Sequence, residues 1–240
     1  MLTPEDFFDL SLFAHRELFE GLEFVWQVLP RIEAYLGRAI GHLVQPGIHG
    51  RVEEGATLVN KDAIFIGEGT TVESGAYIAG PAIIGKECEI RQGAYIRGNV
   101  VIGDSCVIGH ASELKTAVMF NGSHAPHFAY VGDSVLGNRV NLGAGTKLSN
   151  LSLSSEKDPK TGKRPTLQIE IEGKVYDTGL SKLGCILGDE AQTGCNVVTN
   201  PGCLIGKRTL VYSNISLRKG YYPPNRIVKL QQTLDIVERW

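Results

Sequence analysis

The sequence predicts an all-β solenoid, a left-handed parallel β-helix, preceded by an N-terminal helical arm. Two observations carry the prediction. Aliphatic residues recur at every sixth position, at Ile66, Val72, Ile78, Ile84, Ile90, Ile96, Ile102, Ile108 and Leu114. Glycine often follows the recurring residue, as at Gly67, Gly85, Gly103, Gly109, Gly143, Gly188 and Gly206. Glycine makes up 29 of 240 residues, about 12% against a usual share of about 7%, without a collagen period or a low-complexity tract.

A period of six fits neither a lone helix nor a simple strand. It fits a coil of short flat strands that each send one aliphatic side chain inward, where successive coils bury those side chains against one another. Glycine is expected to supply the turn at each corner. The earlier run Val52, Leu58, Ile64 keeps the period two residues out of phase, which predicts a slip near Phe65. The period returns at Tyr130, Leu136, Leu142 and Leu148, and again at Leu187, Thr193, Thr199, Ile205 and Val211.

The first 45 residues read as the arm. Thr3-Pro4-Glu5-Asp6 places a capping residue, a proline at the first helical position and an acid three residues after the cap, so a helix is expected to start there. Leu18, Leu22, Val25, Leu29, Ile32 and Leu36 continue at helical spacing, with Pro30 expected to break or restart the helix. The β-helix is expected over 46–230, and the tail 231–240 as a short helix.

Two stretches interrupt the rhythm. Thr116 to Ala129 holds Asn121, His124, Pro126 and His127. Leu151 to Leu183 is an insertion with a charged segment (Ser154 to Pro165) and a hairpin, Leu167 to Ile171 turning at Glu172-Gly173 into Lys174-Val175-Tyr176. Long loops of this kind usually cover a ligand or a neighbouring subunit.

Composition narrows the function classes. Twenty-four basic and 26 acidic side chains lack the clustered basic surplus that phosphate-backbone binding needs, so nucleic acid is not expected as a partner. No apolar stretch approaches the roughly 20 residues that span a bilayer, and the acidic start (Glu5, Asp6, Asp9) is unlike a signal peptide. The chain therefore reads as cytoplasmic, without a membrane partner. Cys88, Cys106, Cys185, Cys195 and Cys203 lack metal-ligand spacing and are expected as buried free thiols.

The window from Arg97 to Asn150 is more specific. Ser112-Glu113-Leu114-Lys115, His127-Phe128-Ala129-Tyr130-Val131-Gly132-Asp133, Val140-Asn141-Leu142-Gly143-Ala144-Gly145-Thr146 and Asn150 resemble, at matching spacings, the hexapeptide-repeat acyltransferases. The resemblance is to the acetyltransferase half of the bifunctional enzyme that acetylates glucosamine-1-phosphate and then uridylylates it. It is closer still to the C-terminal domain of archaeal-type sugar-1-phosphate nucleotidylyltransferases, and it covers roughly residues 50 to 230.

The resemblance implies roles residue by residue. His127 falls on the general base for the sugar amine; the chemistry needs one because an ammonium cannot attack a thioester, and imidazole titrates near neutrality. Arg97 and Lys115 fall on residues that hold the sugar phosphate, whose charge suits guanidinium and ammonium groups. Tyr130 and Asn141 match sugar-binding positions, and Lys182 matches a lysine that a neighbouring subunit contributes. Asn150 matches an asparagine near the acetyl group, where an amide donor can face a developing oxyanion. For the acetyl donor, acetyl-CoA, the matches are Ala144, Cys195, Ser213 and Lys229. Cys195 has no activating base beside it in sequence, so direct transfer rather than a covalent acyl-enzyme is implied. Tyr221-Tyr222-Pro223-Pro224-Asn225 resembles the ending of many hexapeptide acyltransferases, where the chain leaves the coil.

No glycine-rich nucleotidyltransferase signature precedes the repeats, and the arm stands in that place. The reading is an acetyl-CoA-dependent N-acetyltransferase on an amino-sugar-1-phosphate, glucosamine-1-phosphate first. It is expected to work as a homotrimer with shared sites, beside a separate nucleotidyltransferase or alone. The alternatives are the same chemistry on galactosamine-1-phosphate or an amino-nucleotide sugar, and a non-catalytic sugar-phosphate-binding or scaffold solenoid. A zinc site from His110, His124 and His127 is the remaining class, and no metal is expected.

Overall fold

A computed structural model describes residues 2–42, 47–233 and 235–239. The expected boundary between arm and solenoid, at 45 and 46, lies outside the described residues. The solenoid is the left-handed parallel β-helix that the period of six predicts. Three columns of inward side chains run along its axis, one from each face. Face 1 stacks Ile66, Ile84, Ile102, Met119, Leu136, Leu187 and Ile205. Face 2 stacks Val52, Val72, Ile90, Ile108 and Ala125, then Leu142, Thr193 and Val211. Face 3 stacks Leu58, Ile78, Ile96, Leu114, Val131, Leu148, Thr199 and Leu217. Together these form one elongated core, with coils about 4.8 Å apart, the spacing of hydrogen-bonded strands.

The slip near Phe65 is real. A turn at Asn60 (φ 57°) and a 3-10 segment, Lys61–Ala63, absorb it, so that Ile64 and Ile66 are both buried on one strand.

Thr116 to Ala129, by contrast, does not leave the coil. Glu113–Met119 and His124–His127 are strands, the first bending at Thr116 (φ 48°) from face 3 to face 1, and Ala125 fills the inward position that the aliphatic pattern had left empty. Ile102 pairs with Met119 and Met119 with Leu136, so these coils are one residue shorter than the coil from Ile84 to Ile102. The same shortening makes Val131 the inward residue and turns Tyr130 outward, correcting the assignment of Tyr130 to the repeat.

The glycines after the repeat residues act through space rather than through turn geometry. Gly67, Gly85 and Gly103 do not have positive φ. A Cβ on Gly85 would lie 2.5 Å from the carbonyl oxygen of Gly103 in the next coil, so only hydrogen fits where the backbones stack. Corners in the left-handed region fall instead on residues such as Glu87 (φ 52°), Ser105 (φ 56°) and Arg208 (φ 56°).

The arm winds less regularly than expected. Its first helix, Pro4–Phe7, is one turn, with the Thr3 N–H donating to Asp6 at 2.9 Å. The 3-10 segments Arg16–Phe19 and Val25–Arg31 follow, the second containing Pro30, and Ile32–His42 then restarts as an α-helix that leaves helical geometry at Ile40 and Gly41 (φ 97°). The arm lies on the outside of face 1. Ile83, Val101, Val118, Val135, Ile186 and Leu204 point outward there and are buried beneath its apolar side chains. Phe120 stacks on Phe8 (4.7 Å) and Phe13 (4.0 Å).

The insertion joins this second core. Its hairpin, Gln168–Ile171 with Lys174–Asp177, turns at Glu172 (φ 51°) and Gly173 (φ 78°) as expected. Tyr176 meets Phe24 edge to face at 5.6 Å, and Ile169 is fully buried. The tail corrects an expectation. Among its described residues, 231–233 and 235–239, there is no helix and every residue is exposed, since a helix this short needs a packed face to persist.

Candidate functional site

Face 3 ends in a polar edge. The Arg97 N–H donates to the Leu114 carbonyl at 2.9 Å, which puts Arg97 in register with Lys115 one coil on. The Arg97 guanidinium reaches Glu113 at 2.6 Å, and this hydrogen bond, first among the causes, raises its pKa further. The Tyr130 hydroxyl, on the coil after Glu113, has its pKa raised mainly by burial and then by the carboxylates of Glu113 and Asp133.

Asp133 holds the next contact. It is buried, sits at φ 45°, and accepts a hydrogen bond from the Asn150 side-chain amide. Its carbonyl accepts from Gly184 (2.8 Å), while the Asn150 carbonyl accepts from Leu183 (3.1 Å). The two ends of the insertion are therefore pinned together at this edge, bringing Lys182 beside Asn150 in the same copy of the chain. Lys182, Asp133, Thr116, Asn99 and Glu33 of the arm line a cleft of 390 Å³ there.

A second group lies along the corner between faces 2 and 3. Phe128 N donates to His110 O (2.7 Å), Gly145 N to His127 O (3.1 Å), Asn196 N to Ala144 O (2.8 Å) and Asn214 N to Cys195 O (2.9 Å). These bonds stack His110, His127, Ala144, Cys195 and Ser213 in one column, one residue per coil. At about 4.8 Å per coil the step from His127 to Ser213 is about 14 Å. The His127 side chain is exposed, and the exposed Phe128 (φ 35°) lies over Gly145, whose missing side chain leaves room for the ring. Ser213, Gly194, Tyr212 and Leu230 line a 490 Å³ cleft beside the column. The ammonium of Lys229 sits 5.6 Å from the centre of the Tyr212 ring.

Cys195 corrects the expectation of five buried thiols: it is exposed, whereas Cys88, Cys106, Cys185 and Cys203 are buried. It occupies a corner, where a side chain points away from the core.

The expected site residues thus form two groups. Arg97, Lys115, Tyr130, Asn150 and Lys182 share one edge of face 3, while His127, Ala144, Cys195 and Ser213 share the opposite edge. Asn141 belongs to neither group, since it stacks between His124 and Gln192 on face 2. Glu113 and Asp133 stood within the matched motifs without an assigned role, and their contacts appear only when the coils stack. Among the described residues no group of three His, Cys, Asp or Glu side chains is placed to hold a metal ion, and no helix is long and apolar enough to cross a membrane.

Comparison with known proteins agrees with the motifs. Residues 78–158 match the family described as the GMPPB C-terminal domain. A bifunctional sugar-1-phosphate nucleotidylyltransferase/acetyltransferase of Sulfurisphaera tokodaii is 37% identical over 174 residues, 72% of this chain and 41% of that protein. The bifunctional protein GlmU of Methanococcus maripaludis is 34% identical over 106 residues, 44% of this chain and 23% of its own length. The chain thus spans less than half of either relative. The putative uncharacterized acetyltransferase YaiX of Escherichia coli is 32% identical over 171 residues, 71% of this chain and 70% of that one. Among solved structures, a UDP-N-acetylglucosamine acyltransferase of Francisella novicida aligns over 71% of this chain and 62% of its own, at 19% identity and a TM-score of 0.47. With the repeat, the motif window and a relative matched over most of both lengths all agreeing, the chain belongs to the hexapeptide-repeat acyltransferases.

Proposed function

We propose that the protein is an N-acetyltransferase that moves the acetyl group of acetyl-CoA onto the amine of an amino-sugar phosphate. The observation that carries this reading is the column headed by His127. It passes Ala144, Cys195 and Ser213 beside an open cleft, with Lys229 and Tyr212 at its rim. A long, partly anionic thioester fits such a track, and when bound it supplies an activated acetyl group.

His127 takes the proton that the amine must lose, the new C–N bond forms as the C–S bond breaks, and the proton passes to the departing thiolate. The Asn150 amide is held by Asp133 and also meets the Tyr130 hydroxyl, and from that position it faces the charge that develops on the acetyl oxygen. Arg97, Lys115 and Lys182 supply positive charge for the acceptor's phosphate, and Tyr130 and Asn141 supply hydrogen bonds to the sugar. Cys195 acts as a neighbour of the donor, not as a nucleophile.

Because His127 and Asn150 stand at opposite edges of face 3, this reading has each site completed by a second copy, in a homotrimer with shared sites. Glucosamine-1-phosphate is the first acceptor to test, then galactosamine-1-phosphate. The compartment is taken as the cytoplasm, where acetyl-CoA is available, and a separate nucleotidyltransferase is the partner that would activate the product. The reading is tested by thiol release from acetyl-CoA with each sugar offered to wild type and to His127→Ala. Release with one sugar, lost in the variant, supports it; binding of both substrates without release in wild type would leave only a binding or scaffold role.

A further inference from the structure

The cleft beside Lys182 adjoins a larger one in which, Lys182 apart, the roles above use no residue. It has a volume of 640 Å³ and is lined by Lys157, Lys163, Arg164, Thr166, Ser181 and Lys182 among others, with no carboxylate in its wall. The two clefts share Gly179, Ser181 and Lys182. Four cationic side chains therefore face one space, and among the described residues none of them makes an ion pair or a side-chain hydrogen bond.

One acid of the loop, Asp158, is already engaged, and another, Glu156, is exposed and not among the residues lining the cleft. Asp158 accepts the N–H groups of Lys160 and Thr161 at 2.8 Å each, which hold its carboxyl below the usual range together with its other local bonds. Asp158 N bonds Lys163 O, and Gly162 N bonds Asp158 O, both at 2.8 Å. The loop is thereby closed on itself, with Lys163 and Arg164 presented toward the cleft and Arg164 half-buried. Cations gathered without counter-charges repel one another, and a multiply charged phosphate relieves that repulsion through charge-assisted hydrogen bonds.

We propose that this cleft is a diphosphate subsite, and that it takes the nucleoside-diphosphate end of the acceptor. The acceptor would then be a nucleotide-linked amino sugar rather than a sugar monophosphate. The inference rests on the acetyltransferase reading for its chemistry and on the cleft for its specificity. The ADP end of coenzyme A carries the same kind of charge. The acceptor is favoured because Lys182, given above to the acceptor's phosphate, lines both clefts.

Two measurements on the intact protein test it. In thiol release, a UDP-linked glucosamine should be used with kcat/KM at least tenfold above glucosamine-1-phosphate, and this preference should fall to within about threefold in Lys157→Ala/Lys163→Ala/Arg164→Ala. Lys160→Ala, on the same loop but outside the cleft, should keep the preference. In calorimetry, UDP should bind wild type at least tenfold more tightly than the triple variant, with circular dichroism checking that the variant is folded. Equal use of the two sugars, or UDP binding unaffected by the triple change, overturns the proposal. So does a triple variant that weakens coenzyme A binding tenfold and 3′-dephospho-coenzyme A much less, which would assign the cleft to the donor. If no sugar is turned over but UDP binding still depends on the three residues, the subsite stands and the acetyltransfer reading fails.

Discussion

Arg97 and Glu113 face each other at 2.6 Å across one coil spacing, at the edge where Lys115 also stands. A phosphate reaching this edge meets a guanidinium whose fork is already partly occupied, so acceptor binding must share or displace the carboxylate. Arg97→Ala is expected to raise KM for the phosphorylated acceptor by about ten- to a hundredfold, as loss of a charged hydrogen bond of about 1.5–3 kcal/mol implies. Glu113→Gln should change stability by less than about 1 kcal/mol, because the pair is partly exposed. Steady-state kinetics and urea titration measure the two effects.

His127→Ala should lower kcat by about 10²–10⁴, the range for a general base, and leave the melting temperature within about 2 °C, since the side chain is exposed. A melting shift of many degrees would mean that the histidine serves the coil rather than the reaction.

Asp133→Asn tests whether the buried carboxylate orients Asn150. Asparagine tolerates the left-handed backbone at this corner, so the fold should survive. The Asn150 amide would exchange a carboxylate acceptor for a weaker neutral one, and kcat is expected to fall about tenfold with little change in KM. A change in KM alone would assign Asp133 to acceptor binding.

The arm carries a pH-dependent contact. His15 is buried, its Nδ1 lies 2.7 Å from the Tyr35 hydroxyl, and burial lowers its pKa from 6.5 to about 4. The neutral ring is the one the fold accepts. Its contribution is therefore complete above about pH 6.5 and is lost as pH falls toward 4, when the unfolded chain protonates first. The loss amounts to about 3 kcal/mol at roughly 1.4 kcal/mol per pKa unit. Urea titrations at pH 7, 5.5 and 4 should show it, and His15→Leu should flatten the step between pH 7 and 5.5, above the range where the carboxylates titrate.

Phe120 is the point where solenoid and arm meet, touching Phe8, Phe13 and Phe19. Phe120→Ala should cost about 3–5 kcal/mol and make the first 42 residues more susceptible to limited proteolysis than the coils.

The solenoid was legible because one inward aliphatic per strand leaves a period that no helix shares. The period is masked at Ala125, where a small residue fills the inward position, and between Ile102 and Leu136, where shorter coils shift the count by one. Backbone stacking was legible at Gly85 as a glycine, but its cause, a carbonyl 2.5 Å from where a Cβ would sit, belongs to the neighbouring coil. The motifs found Arg97, Lys115 and Asn150 because their spacing along the chain is fixed by the coil. They could not show that Asp133 holds Asn150, or that Lys157, Lys163 and Arg164 share a cleft with Lys182, because those meetings depend on where the insertion returns.

The seating of the arm also has a consequence for synthesis. Bonds between neighbouring coils join residues close in sequence, such as Lys86 and Asp104, 18 positions apart. The arm's anchors reach much farther, from Asp9 to Asp189 over 180 positions and from Glu5 to Lys207 over 202. On a ribosome the arm emerges before the coils it packs on, yet its full docking surface exists only once the coil holding Leu204 has been made. The arm is translated before the solenoid and is the last to be fully seated: Phe8, Phe13 and Phe19 gain their partner when Phe120 is made, while the anchors to Asp189 and Lys207 close only after most of the coils have wound.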